Sequence, residues 1–318
     1  MSISDISPAE PQSVLSPAVK VALTGAALVV VYTALISSAD GITKMIAGGY
    51  SAPQMFAISG ILVAGLSMLA DRHPAQRLGL KTSRPVAMAL RSAATVLAGF
   101  CFFNAFRLLP FADVFVFVGI MPILAGLMSG PILGEPVRRA AWVALGAGAV
   151  GVLCLFPEGV RSLTLGHLYA GAAAVAGTFS MVLARYIGKS ESNALAQVFY
   201  PNLTMGLVMA LALPFVWKPM PISDLGWICA YTGLLFVARW LLVIALRLLA
   251  AYAVTPLLNL QFVWMVAIGW VFFGEIPAAG TYLGVAIVIG SGLYLIWDQT
   301  APATARAPWA MLRQAIRR

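Results

Sequence analysis

Apolar runs of about twenty residues recur along the 318-residue chain, separated by short polar or basic gaps. About twenty apolar residues are what a helix needs to cross the hydrocarbon of a bilayer. Ten such segments can be drawn, at roughly 20–43, 51–70, 87–108, 112–133, 139–156, 165–187, 194–216, 226–248, 252–273 and 278–297. They are apolar all round, whereas strands of a membrane barrel alternate apolar and polar positions. The pattern therefore predicts an all-α membrane protein whose helices satisfy their own backbone groups in lipid.

Composition agrees with the pattern. Hydrophobic residues make up 61% of the chain and charged residues 10%, with a mean hydropathy of +0.93. A soluble domain is about 45–50% apolar and about 25% charged. That excludes a soluble enzyme, a secreted disulfide scaffold and a disordered chain. The net charge of +9 does not imply nucleic-acid binding, because the basic residues gather in the gaps between apolar runs. That is the distribution of loops facing the cytoplasm and its anionic lipid.

The gaps also orient the chain. With the N-terminus inside, fifteen Lys and Arg fall on the cytoplasmic side, Arg91 among them, and Lys44, Arg107, Arg161 and Lys218 fall outside. Ten spans then place both termini in the cytoplasm. Residues 1–19 read as a polar, disordered cytoplasmic tail without the basic start of a signal peptide. Residues 299–318 read as a basic cytoplasmic tail.

The chain repeats. Ala105-Phe-Arg-Leu-Leu matches Ala245-Leu-Arg-Leu-Leu at an offset of 140, and Gly134-Glu135 falls on Gly274-Glu275 without a gap. Seven of the 31 positions from 105 to 135 are identical at that offset. Five spans is an odd number, so the second copy enters the membrane from the opposite side. The expectation is two inverted five-helix repeats, at 20–157 and 162–298, a common plan for secondary transporters.

Further motifs carry a resemblance. The first half holds Ala105-Phe-Arg-Leu-Leu-Pro110-Phe-Ala112-Asp113, then Pro122 and Leu133-Gly134-Glu135. The second holds Pro256, Gln261-Phe-Val-Trp264, Phe273-Gly274-Glu275-Ile-Pro277, Thr281-Tyr-Leu-Gly284 and Ser291-Gly-Leu-Tyr294. In order and spacing these resemble the drug/metabolite transporter superfamily, in its ten-helix branch with two EamA repeats. The second-half motif looks closest to the bacterial branch that includes S-adenosylmethionine carriers. The resemblance implies a multi-pass carrier of the cytoplasmic (inner) membrane, with a central cavity between the halves and a small-molecule substrate. Many relatives of this type carry arginine in the second span, where this chain has Ser59.

Charged and polar residues inside spans are functional candidates, because lipid makes them costly. Arg239 stands deep in the eighth span, as a cavity cation for a carboxylate or phosphate or as a structural arginine paired within the protein. Asp40 and Lys44 share a helix face at i, i+4, and Asp40 could exchange a coupled proton. Gln261 and Trp264 share a face of the ninth span, offering a hydrogen bond and a stacking surface, with Asn259 nearby. Tyr200 is a further candidate on the seventh span, with Asn202 and Thr204 on the same span and Asn104 on the third behind it. Arg107 and Asp113 flank the turn between spans three and four as a candidate outer gate. Glu135 and Glu275 are expected to accept backbone N–H groups at short turns. Pro122 and Pro256 are expected to kink their helices.

Catalytic, metal and cofactor motifs are not expected: there is no HExxH, P-loop or GxSxG pattern, and Cys101, Cys154 and Cys229 lie in apolar runs without a CxxC. Without a P-loop, transport would draw on an ion or substrate gradient. The reading is a secondary transporter of a small polar metabolite, amino-acid-like, adenosyl or otherwise bearing a carboxylate or phosphate. The alternatives are a lipid scramblase or flippase, a drug exporter, or a non-transporting scaffold or receptor. Expected partners are the substrate, membrane lipid and a coupled proton, with the protein a monomer or homodimer and no nucleic acid.

Overall fold

The computed structural model describes residues 17–46, 49–73, 79–109, 111–135, 164–191, 193–249 and 257–273, with scattered positions within 142–150 and 254–294. Every regular element among them is helical. In chain order they are α1 (Pro17–Ile46), α2 (Ala52–Asp71), α3 (Pro85–Leu108), α4 (Phe111–Leu133), α5 (Leu165–Gly188), α6 (Ala194–Ala210), α7 (Leu213–Val216), α8 (Ile222–Leu248) and α9 (Leu260–Phe273).

α1, α2, α3, α5 and α8 contain stretches long and apolar enough to cross a membrane, and shorter apolar helices lie in α4, α6 and α9. The chain is a multi-pass membrane protein. The expected fifth span (139–156) and tenth span (278–297) lie almost wholly outside the described residues, as do the tails 1–16 and 299–318, Cys154, Pro256 and Glu275. Cys101 and Cys229 are free thiols.

Helix ends follow local sequence. Pro53, Pro85 and Pro214 sit in first turns, where a missing N–H costs nothing. Asn193 caps α6 by accepting the Ala196 N–H at 3.1 Å. Gly134, in the left-handed region at φ 65°, closes α4 with its N–H on the Gly130 carbonyl at 3.0 Å. One expected span is broken: the seventh stops at Ala210, and Pro214 starts the separate short helix α7. α4 continues through both Pro122 and Pro131.

Packing repeats within the bundle. α3 lies along α5, and α8 lies along α1. α4 also packs on α5, and α9 on α1. α3 touches α6 as α8 touches α2, and α2 and α6 cross each other. At that crossing the backbones nearly touch, since a Cβ on Gly60 would stand 2.7 Å from both the Asn202 carbonyl and the Gly206 nitrogen. Two helix ends match in detail. Leu109 and Leu249 both leave their helices extended, and each donates its N–H to the alanine four residues back, Ala105 or Ala245, at 2.8 Å. The Leu109 side chain fills the place of a Cβ at Gly166, and Leu249 does the same at Gly25.

One end of the bundle is basic. There the N-terminal half of α1 meets the C-terminal parts of α4, α5 and α8 through Ala22, Ala26, Val29, Leu133, Val182 and Leu246. Glu135 bridges it: its Oε1 accepts Arg185 at 3.2 Å and Lys189 at 2.9 Å. This corrects the expectation that Glu135 accepts backbone groups; it joins α4 to α5 through side chains. Arg185 also donates to the Leu246 and Arg247 carbonyls at 2.8 Å, closing the open C-terminus of α8. At the opposite end, Tyr50 donates to Asp224 at 2.5 Å, and that bond pushes the phenol pKa up. Gln54 there forms two hydrogen bonds with the backbone of Lys218, at 2.6 and 3.0 Å.

Candidate functional site

Three groups of polar side chains lie inside the bundle, at successive depths. The first joins α1 to α9. Gln261 Nε2 donates to Asp40 Oδ2 at 2.7 Å. Ser37, fully buried, donates to the Gln261 carbonyl at 3.1 Å. The Trp264 indole N–H donates to Thr33 Oγ1 at 3.1 Å. Gln261 and Trp264 therefore do share a face, and α1 receives both. Trp264 is 37% exposed, so its ring is held at the edge of the bundle.

The second group joins α6 to α8. Arg239 Nη1 donates to Asn202 Oδ1. Asn202, 1% exposed, is aimed by its own helix: its amide nitrogen donates to the Val198 carbonyl at 2.7 Å. Tyr32 of α1 and Tyr231 of α8 stand within Coulombic range of both Asp40 and Arg239, which links the two groups. About 13 Å of helix separate Arg239 from the basic end of α8.

The third group lies nearer the basic end, among α3, α5 and α6. Arg91, 9% exposed, donates through Nη1 to the Gln197 carbonyl. It is a buried residue, not one of the flanking charges expected from sequence. The Arg91 carbonyl accepts Thr95 at 2.9 Å and Ser180 at 3.3 Å, and those two hydroxyls lie 2.7 Å apart. Arg91 is within Coulombic range of Arg239.

Other expected residues fall differently. Asn259 is 1% exposed at the head of α9, and neither atom of its amide has a partner. Tyr200 stacks edge-on against Phe199 at 5.2 Å and packs beside Met88, Ile187 and Ala196. Arg107 is exposed in the last turn of α3. The side chains of Lys44 and Asp113 lie outside the described residues, so the Asp40–Lys44 pair and the Arg107–Asp113 gate do too. Ser59 is buried in α2. Among the described residues no cluster of three His, Cys, Asp or Glu could hold a metal ion. Arg91 and Gln197 are the residues that sequence reading missed. The signal was their position, since both lie inside the drawn spans rather than between them.

The arrangement holds a carboxyl group, two guanidiniums and several amides within apolar helices, a setting in which such groups mark substrate and ion paths when the helices cross a membrane.

No family model matches the chain. It is similar to a riboflavin transporter of Vibrio cholerae serotype O1, with 27% identity over 181 residues, 56% of this chain. That match spans 60% of the relative's own length. It is also similar to a riboflavin transporter of Rhizobium johnstonii, 25% identical over 77% of this chain and 78% of the relative. A protein of known crystal structure shares its fold, with a TM-score of 0.73 at 18% identity over 89% of this chain and 98% of that one.

Proposed function

We propose that the chain is a secondary transporter that carries a small polar metabolite across the cytoplasmic membrane by alternating access. In this reading it is a ten-helix member of the drug/metabolite transporter superfamily, with inverted halves at 20–157 and 162–298. Its basic end faces the cytoplasm, as the positive-inside rule favours. The repeated packing supports the inverted plan: α3 on α5 pairs with α8 on α1, and Leu109 at Gly166 pairs with Leu249 at Gly25. The names of the relatives make riboflavin the first solute to test.

The observation that carries the reading is the internal polar line from Asp40 and Gln261 through Arg239 and Asn202. Buried in membrane-crossing helices, these groups are costly unless something polar uses them. Asp40 and Gln261 form the station nearer the outside, where Asp40 exchanges the coupled proton. Arg239 holds the solute near mid-membrane, and the unpaired amide of Asn259 offers a further donor and acceptor. Trp264 and Tyr231 supply ring surfaces.

Uptake of radiolabelled riboflavin into proteoliposomes tests this. Native protein should give saturable uptake above protein-free vesicles. Arg239→Met should cut it at least about tenfold, the loss of one charge-assisted hydrogen bond, while the protein still melts cooperatively. Uptake no better than in empty vesicles removes riboflavin as the solute. Undiminished uptake by Arg239→Met removes Arg239 from the path.

A further inference from the structure

Arg91 sits where a helix has a defect. Pro201 lies inside α6 and has no N–H, so the carbonyl of Gln197, four residues earlier, lacks its helical donor. Arg91 Nη1 from α3 supplies it. A guanidinium has five N–H groups, and this contact uses few of them. Its Nε is buried without a partner. Beside it, the Gln197 side chain is 1% exposed, and neither its oxygen nor its nitrogen has a partner. Gly188 lets the Arg247 side chain come up to that amide: a Cβ there would stand 2.8 Å from Arg247 Cγ and 3.7 Å from Gln197 Nε2.

The charges are equally unbalanced. Arg91 and Arg239 lie within Coulombic range of each other. Among the described residues neither guanidinium touches a carboxylate; they donate to the Gln197 carbonyl and the Asn202 amide oxygen. Two like charges and an unpaired amide inside membrane helices are expensive. An anion settles all three costs. Guanidiniums bind carboxylate and phosphate oxygens with strong, charge-assisted hydrogen bonds.

We propose that Arg91, Gln197 and Arg239 form an anion-binding station on the basic-end side of Asn202, so that the transported solute carries a phosphate monoester. This rests on the transporter reading and narrows it: a neutral solute would leave both guanidiniums uncompensated. Gln197 Nε2 donates to the anion beside Arg91 Nε, and Arg239 holds it from the α8 side.

The test measures thermal stability of purified full-length protein in detergent against riboflavin, riboflavin 5′-phosphate and inorganic phosphate. A ligand of the folded state stabilises by RT ln(1 + [L]/Kd), so shifts at equal concentration rank affinities. Native protein should bind riboflavin 5′-phosphate at least about tenfold more tightly than riboflavin, as one charge-assisted bond implies. Arg91→Gln should bring the two within about twofold, and Gln197→Leu should reduce the preference in part. The double variant Arg91→Gln/Pro201→Ala separates binding from capping, because alanine in place of Pro201 restores the N–H that the Gln197 carbonyl lost. It should recover melting temperature but not the phosphate preference. A preference that survives in Arg91→Gln, or in the double variant, overturns the proposal and makes Arg91 a helix cap. So does native protein that binds riboflavin yet gains nothing from either phosphate-bearing probe; flavin transport then stands without the station. If the phosphate-bearing probes bind and riboflavin does not, the station stands and riboflavin transport falls. Silence from all three overturns both.

Discussion

The seam between α1 and α9 and the seam between α5 and α4 occupy matching places in the bundle, yet they are built from different chemistry. At the repeat offset of 140, Asp40 corresponds to Ser180 and Gln261 to Met121. The first seam is hydrogen-bonded across its width, through Asp40–Gln261, Ser37–Gln261 and Thr33–Trp264. In the second, Phe117 and Met121 of α4 would stand 3.6 and 3.5 Å from a Cβ on Gly171 and Gly177 of α5, an apolar contact among the described residues. Ser180 turns away to Thr95 of α3. The packing repeats and the polar groups do not. Close helix contact depends on small residues at fixed places, and that requirement is the same in both halves. In the proposed carrier the solute is asymmetric, so its contacts have no reason to repeat.

The largest expected effect tests the shared part. Gly60→Leu must push α2 off α6, because the atoms in its way are backbone at 2.7 Å and cannot rotate aside. Overpacking costs about 1–3 kcal/mol where side chains can adjust, so the cost here should exceed that range. Gly206→Leu should fail alike, because Ile61 and Gly60 confront it at 2.9 and 3.2 Å. Size-exclusion profiles and melting temperatures of both variants measure this. A monodisperse, native-like Gly60→Leu protein would show that the crossing is looser than described.

The next effect separates the seams. Gln261→Met gives the first seam the residue type of the second and leaves Asp40 without its donor. An unsatisfied buried partner costs about 1–3 kcal/mol, and uptake should fall along with stability. Met121→Gln puts an amide into the apolar seam. It should destabilise by a similar amount, about 1–3 kcal/mol, yet leave the apparent affinity for solute unchanged. Melting curves and uptake kinetics for the pair decide it. Equal changes in affinity from both would mean that the α4–α5 seam also meets the solute.

This contrast explains what the sequence could show. Hydrophobic run length marks helices because the bilayer imposes one length on all of them, so α2, α3, α5 and α8 were legible almost to their ends. Arg239 was legible because a charge surrounded by apolar residues stands out. Gln261 and Trp264 were legible as one face because helical spacing is local. Arg91 was not: basic residues near helix starts usually flank the membrane, and its burial comes from a carbonyl on α6 freed by Pro201. Glu135 was misassigned for the same kind of reason, because its partners lie fifty or more residues away on α5. Pairings set by tertiary contact leave no local pattern.

Glu135→Gln has a smaller effect. The carboxylate is 19% exposed and Lys189 38%, so water already screens part of the attraction. The loss should be about 1 kcal/mol, near the upper range of exposed pairs. It should shrink as salt rises, because partly exposed charges are screened by ions. A loss independent of salt would mean that Glu135 acts through shape rather than charge.

The smallest effect is the sharpest check on the repeat itself. Gly25→Ala and Gly166→Ala, one residue off the 140 offset, place a methyl group against the branch carbon of a leucine, Leu249 Cγ at 2.7 Å and Leu109 Cγ at 2.6 Å. Both leucines follow helix ends of the same geometry, with φ −117° and −123°. A flexible side chain can rotate aside, and alanine favours helix over glycine by about 1 kcal/mol. The two terms nearly cancel, so each variant should shift stability by less than about 1 kcal/mol. What matters is that the two shifts agree. If the two corners are one packing motif, the same substitution meets an equivalent leucine and gives a similar change in melting temperature, the one added neighbour being Leu108 Cβ at 3.1 Å from the Gly166 position. A neutral Gly166→Ala beside a clearly unstable Gly25→Ala would show that the corner under α1, which also carries Asp40 and the hydrogen-bonded seam, has lost the tolerance of its twin.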